Sequence, residues 1–170
     1  GGAVYANNGL NITYAEFTGN GSAANADFNA TDGGAIYLAS GTGSIGVGEN
    51  GSVSITGNTA AHGGGAIYIA SGATMETGKQ LVSLSDNKAG SISAETPAGG
   101  QGGAIYNAGT LTMDGGGQWI LDDKAMTLNG GLTASGNKAL GNGDDIAGDG
   151  GFLYNAGTAT LSNFTVSGNT

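Results

Sequence analysis

The chain has no cysteine and no arginine among its 170 residues, and only one proline, one histidine and one tryptophan. Without cysteine there is neither a disulfide scaffold nor a thiolate-ligated zinc site. Four lysines against 13 acids leave a formal charge of −9, and phosphate backbones need clustered cations, so nucleic-acid binding is excluded. No apolar run approaches the ~20 residues of a membrane helix. Glycine at strict third positions and abundant proline are both missing, which excludes collagen. Charged residues make up 10% of the chain, well below the usual share of about a quarter.

Glycine is what the chain has in excess, at 37 residues. With Asn, Ser and Thr also abundant, long helices are disfavoured. A polar, glycine-rich chain can fail to fold for want of apolar surface. Here 38% of the residues are hydrophobic, and they recur in short clusters bounded by Gly, Asn and Asp. That pattern predicts many short strands and many turns.

Internal repetition is the dominant signal. A Gly-Gly-apolar-apolar-Tyr element starts at Gly1, Gly33, Gly64, Gly102 and Gly150, and ends on Tyr5, Tyr37, Tyr68, Tyr106 and Tyr154. A second apolar slot follows, occupied by Ile12, Ile45, Met75, Met113 and Leu161 in alternating segments that read as strands. A third element closes on Asn20, Asn58, Asn87, Asn137 and Asn169, each preceded by Gly or Asp. Those residues tolerate left-handed backbone, so a turn is expected there.

Three strands and a fixed turn make one coil. The prediction is an all-β, right-handed parallel β-helix of about five coils, spaced about 4.8 Å apart. Each residue then lies over its counterpart. Ile36, Ile67, Ile105 and Leu153 form an interior column, and the Asn side chains form an amide ladder. If Ile36 faces inward, alternation sends Ala35 and Tyr37 outward, and the five Tyr make one aromatic stripe. Residues 1–170 read as a single solenoid segment with loop insertions near 91–101 and 114–131. Gly1 falls in mid-repeat and Thr170 follows a repeat Asn, as expected of a segment of a longer chain.

The Gly-Gly-Ala-Ile element combined with Phe17-x-x-Asn20, and with the variants in which Ile55, Leu84, Ala134 or Val166 replaces Phe, resembles the repeats of chlamydial polymorphic membrane proteins and similar autotransporter passengers. The resemblance implies a secreted or surface solenoid, often an adhesin, carried across the outer membrane by a C-terminal barrel. It thus implies an extracellular, cell-surface location, with anchoring through a part not present here.

Chemistry has few candidates. His62 is the only imidazole, in a turn before Gly63-Gly64. Asp122 and Asp123 are adjacent, so on a strand they point to opposite sides rather than facing each other as a glycosidase pair does. A lyase of the pectate type lacks its cations. The chain is therefore read as non-enzymatic and without a cofactor. One cation site is a candidate: Asp144, Asp145 and Asp149 lie in a Gly-rich turn that offers oxygen ligands to a structural Ca²⁺, although Asp and Gly are also ordinary turn formers. For partner binding the candidates are Tyr37, Tyr68, Tyr106, Tyr154 and, in its insertion, Trp119. The Tyr stripe can equally serve cross-strand packing, and Trp119 can equally cover the solenoid side.

Three functions follow. The first is an extracellular passenger or stalk that adheres to a host or neighbouring-cell surface protein or glycan. The second is a self-assembling fibre subunit, a homo-oligomer stacking end to end or laterally. The third is a carbohydrate-active β-helix enzyme or tailspike-like domain.

Overall fold

The computed structural model describes residues 1–21, 31–46, 52–78, 81–90, 99–121, 124–128, 131–141 and 148–170. It is a parallel β-helix of five coils, with no helix among the described residues. Three parallel sheets, each five strands deep, run along it. The first carries the Tyr strands: Val4–Ala6, Ile36–Leu38, Ile67–Ile69, Ile105–Asn107 and Leu153–Asn155. The second is built from Leu10–Ile12, Thr42–Ile45, Thr74–Thr77, Thr110–Asp114 and Thr158–Ser162. The third is built from Ala15–Thr18, Ser52–Thr56, Leu81–Ser85, Leu132–Ser135 and Phe164–Ser167. A fourth, shorter column of Thr59–Ala60, Lys88–Ala89 and Lys138–Ala139 follows the Asn turn.

Strand registers match like with like. Val4 pairs with Ile36, Ile36 with Ile67, Ile67 with Ile105 and Ile105 with Leu153. The interior is a stack of such columns, with Ile36, Leu38, Ile55, Ile69 and Leu84 fully enclosed. Full burial of each such side chain is worth about 1.5–3 kcal/mol.

The Gly-Gly pair has two separate causes. The first glycine is left-handed, with φ of 63° at Gly33, 62° at Gly64, 68° at Gly102 and 68° at Gly150. The second has no room for a side chain: a Cβ on Gly65 would lie 2.1 Å from the Gly103 carbonyl oxygen, and one on Gly103 would lie 2.2 Å from that of Gly151.

Three expectations are corrected. Ala35 does not face out; Ala35, Ala66 and Ala104 are fully buried and Phe152 nearly so. The amides of Ala35 and Ile36 both donate to the Ala66 carbonyl, and the amides of Ala66 and Ile67 both donate to that of Ala104. The chain bends between those two amides, so strand alternation begins only after the Ala and both neighbours point inward. Met75 is likewise not in the slot of Ile12 and Ile45: it pairs with Gly43 and Leu111, while Ile45 faces Thr77. The corner before this strand is Ala39-Ser40-Gly41 in the second coil but Ala70-Ser71-Gly72-Ala73 in the third. The longer corner absorbs the extra residue, so counting from the Tyr element misplaces Met75. Lastly, the insertion near 114–131 is not a plain loop. Gly117–Leu121 and Lys124–Leu128 pair antiparallel as a hairpin, closed at its base by the Gly131 amide donating to the Gly115 carbonyl at 3.0 Å. Most of the insertion near 91–101 lies outside the described residues.

Candidate interaction surface

The Tyr stripe is a continuous stack. Ring centroids are 5.2 Å apart for Tyr5–Tyr37, 4.8 Å for Tyr37–Tyr68, 4.6 Å for Tyr68–Tyr106 and 5.1 Å for Tyr106–Tyr154, with interplanar angles from 5° to 22°. Coil spacing dictates this distance, because each Tyr sits on the strand directly above its counterpart. Every inner ring therefore has both faces covered by neighbours. A sugar ring or a cation that stacks on an aromatic face finds only edges along the stripe.

Burial among neighbouring rings pushes the Tyr68 phenol up to about 12, with Asp32, Tyr106 and Tyr37 adding to the effect. Tyr37 is raised by burial, then by Asp32 and Tyr5. Tyr106 is raised by burial, then by Tyr154 and Asp32. Asp32 flanks the stripe; it accepts the Gly63 amide at 3.1 Å, and burial raises its pKa against the opposing pull of that hydrogen bond and of His62. Gly63 is needed for this arrangement, since a Cβ there would lie 2.9 Å from the Tyr106 ring.

At the turn that follows the third-sheet strands, the predicted Asn ladder is complete. Asn20, Asn58, Asn87 and Asn137 each donate from Nδ2 to Oδ1 of the next Asn, at 2.9, 3.0, 2.9 and 2.7 Å, ending on Asn169. The same Oδ1 atoms accept the backbone amide of the preceding Asn. The second Nδ2 hydrogen of Asn58, Asn87 and Asn137 reaches the Phe17, Ile55 and Leu84 carbonyl respectively. Asn58, Asn87 and Asn137 are thus fully buried at no polar cost. A second amide pair escapes the sequence reading: Asn107 Nδ2 donates to Asn155 Oδ1 at 2.7 Å. These two replace the buried Leu38 and Ile69 of earlier coils. Their signal is the recurring Tyr-Asn-Ala-Gly-Thr at Tyr106 and Tyr154, where the tight Ala108-Gly109 corner needs the Asn107 oxygen to accept the Gly109 amide.

The outer face of the third sheet carries hydroxyls almost without interruption. One column is Glu16, Ser54, Ser83, Thr133 and Thr165; the other is Thr18, Thr56, Ser85, Ser135 and Ser167. None of these side chains is buried.

The other candidates are not brought together. Trp119 lies in the hairpin, opposite Met126, away in sequence and register from the Tyr stripe. Asp149 is exposed and pairs through its backbone with Gln101; Asp144 and Asp145 lie outside the described residues. Among the described residues, no three His, Cys, Asp or Glu side chains cluster as metal ligands. His62 is exposed and its backbone joins the ladder to Thr31 and Gln101.

These columns define a parallel β-solenoid whose strands repeat an aromatic slot, an aliphatic slot and an amide turn. Residues 52–70 and 81–108 match the Chlamydia polymorphic membrane protein (Chlamydia_PMP) repeat. Each match runs from a third-sheet strand through the Asn turn and the Gly-Gly element to Tyr68 or Tyr106. These two stretches are therefore similar to the repeats of the polymorphic membrane proteins, a surface-exposed outer-membrane family. No curated protein and no solved structure matches the chain.

Proposed function

We propose that this chain is a non-catalytic solenoid module of a bacterial cell-surface protein. It is displayed outside the outer membrane, where it adheres to a protein or glycan on a host or neighbouring cell. The observation that carries this reading is the match of two coils to a surface-protein repeat, on a core whose polar groups serve to hold the coils in register. Its composition agrees: one His, no Cys and no Arg supply little to catalysis. The rigid stack keeps outer side chains in fixed columns, which suits display.

The test is adhesion of beads coated with the 170-residue chain to epithelial and bacterial cells. Beads coated with the same chain unfolded in urea serve as the reference. Retention several-fold above that reference supports the reading; equal retention overturns it.

A further inference from the structure

The solenoid has a polarity, and its two end coils express it. In the Gly-Gly element the second glycine's amide always donates to a carbonyl of the following coil: Gly2 to Gly33 at 3.1 Å, Gly34 to Gly64 at 3.0 Å, Gly65 to Gly102 at 3.1 Å and Gly103 to Gly150 at 3.0 Å. The Asn-to-Asn bonds run the same way, from Asn20 to Asn169. By this geometry the last coil presents donors, the amides of Gly151, Phe152, Leu153 and Asn169. The first coil presents the matching acceptors, the Gly1 and Ala3 carbonyls and Asn20 Oδ1. We infer that these two faces bind each other, so that a second copy of the chain adds head to tail. The inference is independent of the adhesion reading.

Shape selects the same partner. Register sets Ala15, Val53, Val82, Leu132 and Phe164 in one inward column. The corner bonds set Ala3, Ala35, Ala66, Ala104 and Phe152 in another. Both columns begin on Ala in the first coil and end on Phe in the last. Phe152 and Phe164 pack together there, with ring centroids 6.1 Å apart, and a second copy sets its Ala3 and Ala15 against them. Two last coils face to face would crowd four Phe rings and oppose donor to donor. Two first coils would oppose acceptor to acceptor and leave the space over both Ala residues unfilled.

The end faces also hold the apolar surface that stacking would cover. Val166 is 44% exposed, whereas Ile55 and Leu84 in the same column are fully enclosed. Tyr5 is 65% exposed at the open end of the Tyr stack. Head-to-tail docking continues each column by one rung, with Tyr154 on Tyr5, Leu153 on Val4 and Val166 on Phe17. Glu16 then meets Thr165 instead of a second charge, because the two share a column. Unpaired strand edges favour such an addition. A joint between unlike faces does not close on itself, so it propagates into a rod.

The experiment is sedimentation velocity with negative-stain microscopy on the 170-residue chain, from micromolar to millimolar concentration. The expected result is concentration-dependent growth into rods one solenoid wide. Val166→Lys puts a charge on the donor face and Phe17→Lys puts one on the acceptor face. Each variant alone should stay monomeric, with self-association weakened about a hundredfold or more. An equal mixture should form a heterodimer, since each variant keeps the face that the other has lost. Leu161→Lys and Leu10→Lys repeat the test on the second sheet, and amide spectra check the fold of every variant. A parent chain that stays monomeric throughout overturns the inference, as do assemblies that grow sideways or variants that polymerise like the parent. Either variant dimerising alone overturns it too, because like faces would then be joined.

Discussion

Asn87 Oδ1 accepts two hydrogen bonds from Asn58, one from Nδ2 at 3.0 Å and one from the backbone amide at 3.0 Å. One side-chain oxygen thereby fixes both the height and the rotation of the coil before it. Repeated from Asn20 to Asn169, this contact turns a glycine-rich chain with small apolar clusters into a single registered stack.

Removing one rung tests that arrangement. Asn87→Ala leaves two Asn58 donors unpaired in a buried setting and removes the bond from Asn87 Nδ2 to the Ile55 carbonyl, at a cost on the order of 3 kcal/mol. Asn20→Ala, at the half-exposed end of the ladder, should cost about 1 kcal/mol. Urea denaturation midpoints of the two variants should differ accordingly, and equal midpoints would show that the ladder does not act as a buried network.

The Tyr stack makes a different demand. Tyr68→Phe keeps the ring and its contacts at 4.8 and 4.6 Å, so it should change stability by less than about 0.5 kcal/mol. Tyr68→Ala should lose about 1–2 kcal/mol of cross-strand packing. Thermal melts of both variants check this; a Phe variant as damaged as the Ala variant would point to the hydroxyl instead of the ring.

Stability should also fall in alkali. Tyr68 titrates at about 12 in the folded chain, raised chiefly by burial, against about 10 when unfolded. Between those values the unfolded chain has released a proton that the folded chain retains, so stability is fully present below pH ~10 and declines as pH rises toward ~12. Following the unfolding midpoint together with phenolate absorbance should show this decline, and Tyr68→Phe should lessen it.

Two glycines with different jobs should respond differently to alanine. At Gly57, φ is 66° and a Cβ meets nothing within 4 Å, so Gly57→Ala should cost only about 1 kcal/mol of backbone strain. At Gly103 a Cβ would sit 2.2 Å from one carbonyl oxygen and 2.5 Å from the Lys138 backbone. Gly103→Ala must push coils apart and should prevent stable folding. Circular dichroism of both variants distinguishes them. Asp86, at φ 54° in the slot that Gly57 and Gly136 fill in neighbouring coils, should by the same reasoning gain about 0.5–1 kcal/mol on change to Gly.

The Asn rungs and the Tyr column were legible in the sequence because each residue type recurs at one point of every coil, and a parallel stack places like over like. The hydroxyl face was less so: Ser and Thr are common throughout the chain, and only the register sets Ser83 beside Thr133.

Residue identity alone therefore determined that the chain coils, what repeats, and which amides and rings align, because those depend on local turn chemistry and on self-matching between coils. Tertiary structure decided the rest. Ala35 turned inward because two amides share one carbonyl at the corner, and Met75 settled over Gly43 because the corner length of each coil sets its register. The hydroxyl columns of the third sheet exist because residues distant in sequence meet on adjacent strands. Each depends on how the backbone bends between repeats, where one added residue shifts every contact that follows.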